Sequence, residues 1–126
     1  MFQNFLLVGL GGFLGSIARY SVSLLLKNYN FLNFPLGTFS VNIAGSLLIG
    51  FIISIWGIKT DYNAGLKLFL SVGICGGFTT FSSFTAENFK LIEQKLYLLS
   101  FVYISMSVIL GIAAIFAGGF FAKKIF

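Results

Sequence analysis

The chain carries four apolar runs, over residues 2–26, 34–58, 65–89 and 96–122, joined by short polar connections. A helix that crosses a bilayer needs about 20 predominantly apolar residues, and each run meets that length. The runs are continuous, with neither the strict alternation nor the ~10-residue length of membrane barrel strands. Only 9% of the 126 residues are charged, against about 25% in soluble domains. A soluble core of this length leaves much of its surface facing water, and a chain that is 58% apolar cannot supply such a surface. The sequence therefore predicts an all-α membrane protein, a single four-helix transmembrane domain over residues 1–126, with no room for a large extramembrane domain. The first run lacks a positive n-region and is too long for a signal-peptide core, so it reads as mature structure. Pro35 suits the first turn of the second span, where its missing N–H costs nothing. Trp56 lies near the end of that span at interface depth, and Lys123-Lys124 closes the fourth.

Several functions lack their parts. There is no His and one Cys, Cys75, in an apolar stretch. The acids are Asp61, Glu87 and Glu93, all near span ends. A general acid/base pair, a Ser-His-Asp triad and a zinc site are therefore missing components, and no enzyme is expected. The net charge of +5 has no basic run beyond Lys123-Lys124, so nucleic-acid binding has no footprint, and no soluble partner is implied. The lysines instead suit the headgroup level of a lipid bilayer.

Orientation is less decided. Lys59, Lys67, Lys123 and Lys124 fall on one side, and Lys27, Lys90 and Lys95 on the other, with Arg19 added if it snorkels that way. Topology normally follows Lys/Arg asymmetry, and here there is almost none. Either one orientation is set by something subtler, or the chain inserts both ways and works as an antiparallel dimer.

Gly9-Leu10-Gly11-Gly12-Phe13-Leu14-Gly15 has the wrong spacing for a dinucleotide loop and lacks the acid that such a loop requires. Gly11 and Gly15 read better as a GxxxG pair for close helix packing. Arg19, in or near the end of the first span, either snorkels or raises anion concentration at a vestibule. Thr38, Asn42, Ser46 and Gly50 recur every four residues along one stripe of the second span. Tyr103, Ser107 and Gly111 do the same in the fourth, with Ser100 a turn earlier. Such stripes serve as interhelical glue or as the lining of an aqueous route.

The third span holds Gly76-Gly77-Phe78-Thr79-Thr80-Phe81-Ser82-Ser83-Phe84 near its middle. Paired glycines followed by β-branched and hydroxylated residues make a poor helix centre, so a break is expected there. Irregular backbone at membrane depth is tolerated only where it is buried or lines a cavity. It frees carbonyls for a cation and N–H groups for an anion. Phe81 and Phe84, three apart, share a face if the helix resumes. The positive edges of their rings can favour a small anion without binding it so tightly that it stays.

These pieces together resemble the Fluc (CrcB) family of fluoride channels over essentially the full chain. The matching residues are Gly11-Gly12-Phe13-Leu14-Gly15 with Arg19, Gly37-Thr38-Phe39-Ser40-Val41-Asn42, and the Gly76–Phe84 motif followed by Glu87. Ser83 stands where several members have Thr, and either keeps the hydroxyl. The resemblance implies a fluoride-selective channel that exports cytoplasmic fluoride passively, as an antiparallel dual-topology homodimer with two pores. Its implied fluoride pathway comprises Asn42, Phe81, Phe84, Ser82, Ser83, Tyr103, Ser107 and Thr38, with Arg19 at a vestibule. It also implies a structural Na⁺ at the dimer axis, held by the backbone carbonyls of Gly76 and Thr79. A multi-pass protein of the prokaryotic inner, or plasma, membrane is the implied location. Two rivals are a small multidrug exporter, which relies on an acid that the first span lacks, and an accessory subunit of a larger membrane complex.

Overall fold

The computed structural model describes residues 1–29, 31–59 and 63–126. Asn30, Thr60, Asp61 and Tyr62, which the sequence assigns to the two polar connections, lie outside the described residues. Every regular element among the described residues is helical. Helix α1 is Phe2–Leu26 and α2 is Leu36–Ile58. Helix α3 is a continuous winding of Ala64–Lys67, Leu68–Cys75 and Gly76–Phe78, of which Leu68–Cys75 takes the wider π form. Helices α4, Phe81–Glu93, and α5, Tyr97–Ile125, complete the chain. Among the described residues four helical stretches are long and apolar enough to cross a membrane, with α3 and α4 together making the third, Ala64–Glu93.

The ends of these helices follow from local chemistry. Pro35 sits one residue earlier in its helix than the sequence suggested. It caps α2 with its carbonyl, which accepts the Phe39 N–H at 3.1 Å, while α2 itself starts at Leu36. A donor is not needed at that position, so proline fits. Asn63 caps α3 through Oδ1, which accepts the Gly65 N–H at 2.7 Å and the Leu66 N–H at 3.4 Å. Helix α4 ends in a paired turn, in which Leu96 N–H donates to Leu91 and Lys95 N–H to Ile92, with Lys95 at φ 60°. That turn is the usual glycine-ended helix stop, built here on a lysine. Lys123 and Lys124 lie inside the last turn of α5, where cations complement exposed carbonyls.

Two pairs of helices cross at backbone contact. Gly11 and Gly15 of α1 face the backbone of α3 around Gly73, Ile74 and Phe78, and Gly77 faces Gly12 in return. Gly50 of α2 meets the backbone of Ile115, and Gly118 of α5 meets Leu47 and Phe51. Along α1 and α3 the contacts advance in the same sense, from Gly11 on Gly73 to Gly15 on Phe78, so these two helices run parallel. Along α2 and α5 they also advance in the same sense, from Ser46 on Gly111 through Gly50 on Ile115 to Ser54 on Gly119, so these two run parallel as well. In hydrocarbon no hydrophobic force drives helices together, and small residues that let backbones approach take its place. These close crossings fix the helices tightly enough to place single side chains.

Gly50 and Gly57 lie seven residues apart on α2 and separate packing from intrinsic preference. A methyl at Gly50 would overlap the Ile115 carbonyl, which cannot rotate away, whereas nothing lies within 4 Å of one at Gly57. Gly50→Ala is expected to lower stability by about 2 kcal/mol, and Gly57→Ala to leave it unchanged or slightly raised. Thermal unfolding in detergent reads both.

Candidate functional site

Helical geometry ends at Phe78. Thr79 (φ −83°, ψ 156°) and Thr80 (φ −150°, ψ 118°) are extended, and α4 starts at Phe81. Thr79 remains tied to the turn before it, its N–H and Oγ1 both donating to the Cys75 carbonyl at 3.0 and 2.9 Å. The Thr80 N–H, which a continuous helix would direct to the Gly76 carbonyl, instead donates to Asn42 Oδ1 at 2.8 Å. Asn42 Nδ2 donates back to the Thr80 carbonyl at 3.1 Å. One amide on α2 thus satisfies both backbone groups of Thr80, the second of the two residues between α3 and α4. The Gly77 carbonyl, left without its helical donor, accepts Arg19 Nε from α1 at 3.1 Å. Thr80 then caps α4, its Oγ1 accepting the Ser83 N–H at 3.2 Å.

A cleft of about 440 Å³ opens beside this junction. Asn42, Gly76, Thr79, Phe81, Phe84 and Ser107 all line it, so most of the residues singled out from sequence converge there. The Asn42 amide carries two N–H groups, and Thr80 occupies one. Ser107 Oγ is buried without a hydrogen-bond partner among the described residues. The Phe81 and Phe84 rings lie 5.9 Å apart, tilted by 39°, and Phe81 is 77% exposed.

Other expected residues go elsewhere. Thr38 and Tyr103 do not line the cleft, because both hydroxyls are committed to Glu87. Thr38 Oγ1 donates to Oε1 at 2.6 Å, and the Tyr103 hydroxyl donates to Oε2 at 2.7 Å. Tyr103 is wholly buried, its ring edge-on to Phe84 at 5.0 Å and to Phe34 at 5.2 Å. Ser82 and Ser83 also stay outside the cleft lining, since the first turn of α4 draws their hydroxyls to within 3.3 and 3.2 Å of Thr80 Oγ1. Arg19 donates through Nε to the Gly77 carbonyl at 3.1 Å.

Sequence reading missed two polar centres. Glu87 counted only as an acid near a span end and as the tail of a motif, yet it gathers α2, α4 and α5. Asn88, 6% exposed, accepts from Ser100 Oγ at 2.8 Å and donates to the Phe84 carbonyl at 2.9 Å, which ties α4 to α5 beside the Phe84 ring. No group of three or more His, Cys, Asp and Glu gathers among the described residues.

Fold and site define a multi-pass membrane protein with a cleft beside the extended residues Thr79 and Thr80. The chain matches the family described as CrcB-like protein, Camphor Resistance (CrcB), over residues 6–119, and it belongs to that family. It is 50% identical over 119 residues to a protein of Chlorobium phaeobacteroides named fluoride-specific ion channel FluC, covering 94% of this chain and 92% of that protein. Proteins of the same name from Gloeothece citriformis and Flavobacterium psychrophilum are 49% and 43% identical. Each of these two alignments covers 94% of this chain, with 96% and 95% of the respective relative. The relatives are channels, not enzymes.

The Asn42–Thr80 pair is the element most exposed to mutation. Asn42→Ala strips both partners from Thr80 and is expected to lower stability by about 2–3 kcal/mol, the cost of buried unsatisfied groups. Asn42→Asp keeps the acceptor but sets a carboxylate oxygen against the Thr80 carbonyl, so its thermal unfolding midpoint in detergent should fall at least as far as that of the alanine variant.

Proposed function

We propose that this protein is a fluoride-selective channel through which cytoplasmic fluoride leaves the cell passively, across the inner or plasma membrane. The observation that carries the reading is one cleft in which an uncommitted Asn42 N–H, the unpartnered Ser107 hydroxyl and the Phe81 and Phe84 rings lie together. A small anion sheds water stepwise there and takes up N–H, O–H and ring-edge contacts instead. None of these groups carries a full positive charge, so the ion is replaced rather than trapped. The names of the relatives agree with this chemistry. Passive flow is the simpler mode, because both Glu87 oxygens are occupied by hydroxyl donors and no acid is among the described residues that line the cleft.

The working unit in this reading is an antiparallel homodimer with two pores, the third span being divided at Thr79-Thr80. The balanced Lys/Arg count supports insertion both ways. The 77% exposure of Phe81 beside polar residues supports a second copy covering that face. A structural Na⁺ fits the same junction. Asn42 diverts the Thr80 N–H from the Gly76 carbonyl, and a methyl added at Gly76 would meet no atom within 4 Å, so that face is open. Carbonyl oxygens are hard ligands that suit such an ion. Gly76 and Thr79 would hold it, and its charge would offset the negative end of α3.

The test is fluoride efflux from liposomes holding only the purified protein, read with a fluoride electrode, with chloride efflux as the paired control. Rapid fluoride loss with little chloride loss is expected. Phe81→Ile should leave a folded dimer by size-exclusion chromatography and cut flux about tenfold or more, a barrier increase of at least ~1.4 kcal/mol. Unchanged flux in that variant would remove the ring edge at Phe81 from the pathway.

A further inference from the structure

A second cavity, of about 200 Å³, is lined by Ser23, Lys27, Thr38 and Glu87 among others. A chain of contacts links its lining to that of the main cleft. Phe84 lines the cleft, its ring meets Tyr103 at 5.0 Å, and the Tyr103 hydroxyl bonds the Glu87 carboxylate that borders the second cavity. We propose that this cavity is the far mouth of the anion route and a resting site for fluoride, with Lys27 as the cation that admits it. The proposal rests on the fluoride-channel reading and adds a residue to it.

Glu87 is the negative group bordering the cavity, and a carboxylate repels an arriving anion. Lys27 is the only other charged residue among the described residues of the lining. Its ammonium forms no hydrogen bond or ion pair among the described residues, so its charge is not consumed by Glu87. An ammonium on a flexible stem is a hydrated point charge, which raises local anion concentration without a fixed fork to hold the ion. The hydroxyls of Thr38 and Tyr103 pin both carboxylate oxygens, which keeps Glu87 from swinging across to neutralise Lys27.

Fluoride efflux from liposomes, measured at low and high concentrations of an impermeant salt, tests this on the full chain. Lys27→Arg should stay near wild type. Lys27→Ala should slow efflux at low salt by about tenfold, the lower end of electrostatic steering effects, and Lys27→Glu should slow it more. Both deficits should shrink at high salt, as the screening length falls from about 30 Å at 0.01 M to about 3 Å at 1 M. Lys123→Ala, in the last turn of α5 and outside this cavity, should behave as wild type. A wild-type protein that conducts while its Lys27→Ala and Lys27→Glu variants conduct equally fast at low salt would overturn the role of Lys27 alone. So would an equal loss in Lys123→Ala, or a deficit that ignores salt. A wild-type protein that moves no fluoride would overturn both the channel reading and this one.

Discussion

The amide of Asn42 against the backbone of Thr80 is the contact on which the rest of the site depends. A peptide unit that leaves helical geometry inside an apolar span exposes an N–H and a carbonyl with no water to receive them. Each such group costs about 1–3 kcal/mol if left unpaired. Asn42 meets both with one side chain. Because it does, α3 can stop at Phe78 and α4 can restart at Phe81 with Thr80 as its cap. Gly76, whose carbonyl loses that helical donor, lines the cleft, and Phe81 and Phe84 come to the same wall.

A bond of this kind needs its two helices held at fixed depth, and the glycine crossings supply that. Asn42 shares α2 with Gly50, whose contact with Ile115 sets the height of α2 on α5. Ser107 rides on α5, so the same crossing sets its height against Asn42. On the other side, Gly11 and Gly15 bring α1 onto α3 closely enough for Arg19 to reach the Gly77 carbonyl. A guanidinium at a helix C-terminus offsets the partial negative charge there. Two features that read as packing and as charge are therefore parts of one arrangement around the junction.

How far this was legible in the sequence depended on range. The spans, the glycine pair of α1 and the unsuitable helix centre at Gly76–Thr80 are local patterns, and local chemistry decides them. Asn42 was legible as a polar residue in an apolar helix, but its partner was not, since Thr80 lies 38 residues away. The Glu87 cluster was less legible still. Thr38 and Tyr103 are 49 and 16 residues from it, on other helices, and each sat plausibly in a polar stripe of its own. Ser82 and Ser83 have a local role that their spacing does not reveal. Their hydroxyls looked available to an ion, but a helix restart needs a cap, and the first turn of α4 gathers them around Thr80.

The distribution of charge along the site has a consistent logic. The cleft at the junction offers dipoles and ring edges, and among the described residues that line it none carries a formal charge. The charged groups stand outside it: Arg19 is bound to a carbonyl, and Glu87 is bound by two hydroxyls. A full charge in a narrow low-dielectric passage would either bind an opposite ion too tightly or exclude a like one. In the proposed function, neutral donors at the cleft with bound charges around it would strip water from a small anion while leaving the ion free to move on. Tyr103 stands between the two regimes, its ring against Phe84 and its hydroxyl on Glu87.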